Sequence, residues 1–136
     1  MERIYSKVEE GKLLHIINRL GEIAGRTEAV PEDNFIQCAT LKMEKGKTFP
    51  PHKHITKDRH YPEQIAQESW VVIRGKVEVS YYDVDGTFLT SAVIEQGDCS
   101  VTYEGGHTYT ILEDDTVVYE HKIGPYGGQE NDKVFI

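Results

Sequence analysis

The segment WVVIRGKVEVSYYDVDGTFLTSAVI, residues 70–94, decides the fold. Its first four residues form a continuous apolar run rich in Val and Ile, the pattern of a strand, and Arg74-Gly75 then reads as a turn. Residues 76–82 alternate cleanly, which places Val77, Val79 and Tyr81 on one face. Asp85-Gly86 supplies the positive φ that a tight hairpin needs, so residues 88–94 read as the returning strand.

The same grammar extends in both directions. Residues 35–44 (FIQCATLKME) alternate roughly, and residues 100–103, 107–112 and 116–122 read as three more short strands. Strands about 8 to 12 residues apart with turn chemistry between them predict an all-β sandwich or barrel. Residues 12–20 (KLLHIINRL) suit an amphipathic helical turn and an edge strand equally well. Residues 62–67 (PEQIAQ) suit one helical turn with Pro at its first position. No repeat or linker divides the 136 residues, so a single domain is expected, with a core near 35–122, an N-terminal extension over 1–34 and a tail over 123–136.

Fifteen Lys and Arg stand against 23 Asp and Glu, a net charge of −8. That balance argues against a nucleic-acid or anionic-membrane partner, which needs a basic face. No apolar run approaches the roughly 18 to 20 residues of a membrane span, and residues 1–12 carry mixed charge with no secretory pattern, so a cytoplasmic chain is expected. Cys38 and Cys99 show no metal-type spacing and read as two free thiols.

Six histidines are present, and their arrangement says more than their number. His52 and His54 flank one residue, so in an extended strand both imidazoles share a face, and Pro50-Pro51 stiffens the approach. Glu68 opens the decisive apolar run, and His107 opens a later strand just after Gly105-Gly106. Three imidazoles and one carboxylate suit Fe(II), Mn(II), Ni(II), Cu(II) or Zn(II). His15, His60 and His121 read first as surface or hydrogen-bonding residues.

Two spacings carry a family resemblance. Gly46, five residues, His52-x-His54, then Glu68, six residues and Gly75 resemble the first motif of the cupins, and Gly97-Asp98 through His107 resemble the second. The likeness covers roughly residues 35–122. Thirteen residues separate His54 from Glu68 where the family has three or four; Tyr103 and Ile111 stand at the family's Pro and Asn, and His107 arrives one residue early, so Gly106 is expected to absorb a tight turn. The resemblance implies a jelly-roll barrel, a double-stranded β-helix, with His52, His54, Glu68 and His107 around a divalent metal (Fe, Mn, Ni or Zn). It further implies an isomerase, epimerase or oxygenase acting on a small polar substrate such as a sugar derivative or carboxylic acid. The competing reading is a non-catalytic module that binds a metal or carbohydrate, or serves another enzyme.

Alternation then nominates the pocket walls. Trp70 and Val72 share a face with Glu68, Tyr109 shares one with His107, and Gln37 and Ala39 follow Leu41 and Met43 inward. Gln37 and Tyr109 are candidate substrate contacts, although Gln37 serves equally well to satisfy a backbone group. In the 55–67 insertion, Lys57, Arg59, His60 and Tyr61 could attract an anionic substrate, with Arg59 and His60 as named contacts, or form a solvated loop. Residues 124–128 read as a lid or an ordinary crossing. Small cupins commonly pair, so a homodimer is expected, with residues 1–30 adding a strand across its interface.

Overall fold

A computed structural model describes residues 1–31, 34–42, 44–52, 65–123 and 134–136. The described chain is all-β: β1 (Glu2–Tyr5), β2 (Leu13–Asn18), β3 (Arg26–Glu28), β4 (Ala39–Leu41), β5 (Glu68–Arg74), β6 (Lys76–Tyr82), β7 (Phe88–Glu95), β8 (Cys99–Thr102), β9 (Gly106–Ile111) and β10 (Val117–Lys122), with a 3-10 turn at Leu20–Glu22. They form antiparallel sheets in the orders β1-β2-β8-β5-β10, β7-β6-β9 and β3-β4. Among the described residues, no helix is long and apolar enough to cross a membrane.

The two larger sheets pack face to face. Val77, Val79 and Tyr81 are wholly buried, as their alternation predicts, and cluster with Ile94 of β7 and with Ile17 and Val72 from the five-stranded sheet. The Tyr81 hydroxyl hydrogen-bonds across the layer to Ser100 Oγ at 2.9 Å. Tyr81→Phe is therefore expected to lower stability by about 1 kcal/mol, read as a lower urea midpoint at unchanged slope. An unchanged midpoint would show that the buried bond contributes nothing net.

Residues 12–20 resolve as β2, and β2 is no edge strand: it lies between β1 and β8. A helix loses here because both faces are apolar and both are covered. Ile17 faces the three-stranded sheet, while Ile16 joins Ala29, Val30, Val101 and Tyr103 in a second cluster on the opposite face. The core thus reaches well into the first 34 residues. Within the first 30 residues, β1 and β2 are built into their own chain's five-stranded sheet.

The Asp83–Thr87 hairpin forms as read. Asp83 N–H donates to the Thr87 carbonyl at 2.8 Å, and Gly86 takes φ +82°. Asp83 also anchors the N-terminal turn, accepting from Ser6 Oγ (2.6 Å) and from the Lys7 and Val84 N–H groups (2.7 and 2.8 Å). Burial pulls its carboxyl upward, and these bonds together pull it further down, to about 2.

Only residues 39–41 of the expected 35–44 strand form β4, paired with β3 in a small hairpin where Leu41 is exposed. Met43 lies outside the described residues, as do 62–64 of the expected helical turn, and residues 65–67 are irregular.

Candidate metal centre

Cross-strand register assembles the site. His15 of β2 lies opposite Thr102 of β8, Thr102 opposite Glu68 of β5, and Glu68 opposite Lys122 of β10. Side chains in register share a face, so one polar row crosses four strands. Ile17, Ser100, Trp70 and Glu120 form the next row, on the face that carries Ile17 into the core shared with the three-stranded sheet. On that facing sheet Tyr81 pairs with His107.

His107 reaches across to the row. Its Nε2 lies 3.1 Å from Glu68 Oε1, and its Nδ1 lies 3.1 Å from Thr102 Oγ1. The same Thr102 oxygen is 3.1 Å from His15 Nδ1, and His15 Nε2 donates to the Tyr82 carbonyl at 3.3 Å. His15 is wholly buried. Burial drives its imidazole down to about 4 and the nearby His107 adds to that, against the opposing pull of the Tyr82 carbonyl and Asp83, so the ring is neutral at pH 7.

Glu68 and His107 line a cavity of about 1000 Å³, together with Trp70, Thr102, Tyr109 and Glu120. Trp70 and Tyr109, from opposite sheets, stack with centroids 3.8 Å apart and planes 4° from parallel. Trp70 Nε1 donates to Glu120 Oε2 at 3.3 Å. Tyr109 also tilts against the His107 ring, 5.0 Å between centroids. Burial, and then the Glu68 charge, push its hydroxyl upward, so it is a neutral phenol. Val134, Phe135 and Ile136 close part of the wall, with Ile136 filling the space beside Gly106. The described wall residues include four carboxylates, Glu68, Asp83, Glu104 and Glu120, and one lysine, Lys122; Glu104 is paired with Lys12 at 2.6 Å, and Asp83 is bonded to the N-terminal turn.

Of the four expected metal ligands, the structure brings Glu68 and His107 together. His52 is exposed, with Nδ1 2.9 Å from the Pro50 carbonyl oxygen, and is not part of the cavity wall. His54, Arg59 and His60 lie outside the described residues, as do Lys57, Tyr61 and the 124–128 segment. Among the described residues, no group of three or more His, Cys, Asp or Glu is placed to hold a metal. Gln37 is exposed and away from the cavity; its amide donates to the carbonyls of Pro31 (3.3 Å) and Asn34 (2.5 Å). It satisfies the backbone, because the strand that was to turn it inward begins only at Ala39. Cys38 and Cys99 are free thiols in the second core cluster, on the other face of the five-stranded sheet.

The separation of the donor pair is that of a direct His–Glu ion pair or hydrogen bond, and it is also the separation a shared metal ion would need. Two donor atoms each about 2.1 Å from one ion, at right angles around it, stand about 3.0 Å apart. Nε2 of His107 and Oε1 of Glu68 are 3.1 Å apart. The other ring nitrogen of His107 is held by a hydroxyl, the outer-shell support that metal-binding histidines use.

His15 and Thr102 are the residues that reading the sequence missed. The available signal was a histidine between apolar neighbours in LLHIIN, where a wholly buried imidazole must find partners. No family model, curated protein or solved structure matches the chain.

Proposed function

We propose that this chain is a small cupin-type jelly roll that holds one divalent transition metal through Glu68 and His107, with His54 completing the set together with His52 once that side chain leaves its exposed position beside the Pro50 carbonyl. In this reading it is an enzyme that isomerises, epimerises or oxygenates a small polar molecule, a sugar derivative or a carboxylic acid. The observation that carries the reading is the 3.1 Å approach of a carboxylate and an imidazole from opposite sheets, on the wall of a large cavity. When bound, the metal would polarise a substrate oxygen as a Lewis acid. The chain's own residues do the rest. The Trp70–Tyr109 stack presents an apolar wall that limits water, and Glu120 and Lys122 offer polar contacts beside it.

Metal analysis of protein purified without a histidine tag tests this directly. About one transition-metal ion per chain is expected. Glu68→Ala and His107→Ala should each weaken zinc or manganese binding by more than about 100-fold, beyond the usual loss for an outer-shell change, while circular dichroism stays that of the parent. Wild-type protein that takes up no metal on reconstitution would overturn the reading. Bound metal with no turnover on a panel of sugars and carboxylic acids would leave a binding module in place of the enzyme.

A further inference from the structure

The face of the five-stranded sheet turned away from the cavity carries a pair of thiols. Side chains alternate along β8: Ser100 and Thr102 face the three-stranded sheet, whereas Cys99 and Val101 face the other way, into the second core cluster. Ala29 and Val30 belong to that cluster, and Ile36 and Cys38 pack against it from the segment before β4. The backbone fixes where Cys38 stands. Ala29 N–H donates to the Cys38 carbonyl at 2.8 Å, Glu28 pairs with Ala39, and Ile36 N–H donates to Gln67 Oε1 at 3.0 Å, just before β5. Cys99 is buried, with Ser69 Oγ 3.4 Å from its sulfur, while Cys38 is only half-buried. The Cys99 thiol donates to the Cys38 sulfur. That bond holds the Cys38 thiol below the usual range, against burial and the Glu28 charge. The same pairing, and then burial, hold Cys99 up as a protonated thiol. Cys38 is therefore the nucleophile of the two, and the one a reagent reaches.

We propose that Cys38 and Cys99 are a reversible disulfide site, closed by a small soluble disulfide of the glutathione type and opened by the corresponding thiol. The Cys38 thiolate attacks one sulfur of the small disulfide, whose S–S bond breaks; the first glutathione leaves as a thiolate and takes up the proton that Cys38 had lost. Cys99 then attacks the Cys38 sulfur, and the second glutathione departs with the Cys99 proton. Two protein thiols are oxidised to one disulfide, and one small disulfide is reduced to two thiols. The Cys38 charge that kept Cys99 protonated is gone once Cys38 carries glutathione, which frees Cys99 for the second step. The product staples the segment before β4 to the middle of the five-stranded sheet. The site lies across that sheet from the cavity and stands whether or not a metal binds there. Two cysteines that merely filled the core would react one at a time, and Cys38 would stop at its glutathione adduct.

The test is oxidised glutathione added to the folded full chain without denaturant, read by mass spectrometry and thermal melts. The wild type should lose two hydrogens, retain no glutathione, and yield one linked peptide pair containing Cys38 and Cys99. Its melting temperature should rise by about 10 °C, because the bond closes a loop of about 60 residues, and dithiothreitol should reverse the rise. Cys99→Ala should stop at the glutathione adduct of Cys38 with no such rise, and Cys38→Ser should take up no glutathione over the same time. If Cys99→Ala does not fold, Cys38→Ser and the wild-type peptide map still decide. Wild-type protein that keeps both thiols, that stops with glutathione on Cys38, or that links only one chain to another would overturn the proposal.

Discussion

Acidification from pH 6.5 to pH 4 is expected to cost the fold about 3 kcal/mol through His15 alone. In the unfolded chain this imidazole takes up a proton near 6.5; in the folded protein, where it is wholly buried, it does so only near 4. Between those values the unfolded state binds more protons, so stability is intact above pH 6.5, falls as the pH drops, and stops falling once pH 4 is passed. Desolvation is the main cause, and of the charged groups facing the ring, His107 adds to it while Asp83 opposes it. Asp83 acts in a separate window. Its carboxyl is held at about 2, so its stabilisation is present above about 3.8 and lost as the pH falls toward 2. Urea titrations at half-unit steps should show the first loss between pH 6.5 and 4, and His15→Phe should abolish it. A slope that persists in that variant would assign the proton uptake elsewhere.

Gly105→Ala is expected to destabilise the protein by about 3 to 4 kcal/mol, or roughly 10 °C in melting temperature. Gly105 has φ +77°, and a Cβ there would stand 2.5 Å from the Tyr82 carbonyl oxygen and 3.4 Å from His15 Nε2. The carbonyl is backbone and cannot swing aside, so either the turn into β9 shifts or the β6 end does, and both carry the site. Gly25→Ala is the control: φ is +66° but the added carbon meets nothing within 4 Å, so it should cost only the conformational part, about 1 to 2 kcal/mol. Thermal melts of the two variants that coincide would remove the steric argument. Reading the sequence placed the tight turn at Gly106, but the left-handed residue is Gly105, because that is the position lying under the carbonyl.

What was legible was local. The alternation over 76–82, the Asp85-Gly86 turn and the apolar run from Trp70 yield β5, β6 and β7 almost to the residue, because each pattern reports its own backbone and its own face. Residues 12–20 were ambiguous for the opposite reason. A segment buried on both faces has no alternation to show, and what makes it a strand is its pairing with β8, more than eighty residues away. Gln37 failed similarly: its inward face depended on a long strand, and the chain there makes a turn closed by Gln37 itself. Within the candidate site, motif spacing singled out Glu68 and His107, which the fold does bring together. The register that sets His15 beside Thr102 is long-range, and no window of sequence contains it.

That register has a consequence for synthesis. A nascent chain emerging from the ribosome exposes His15 early, yet the hydroxyl it must meet is 87 residues later. Closing a loop of that length costs roughly 4 kcal/mol of chain entropy, and β2, paired until then with β1 alone, gains its second neighbour only when β8 has been made. Until then two rows of Ile and Leu wait uncovered, so translation through residue 102 is the interval in which this protein is most exposed to aggregation.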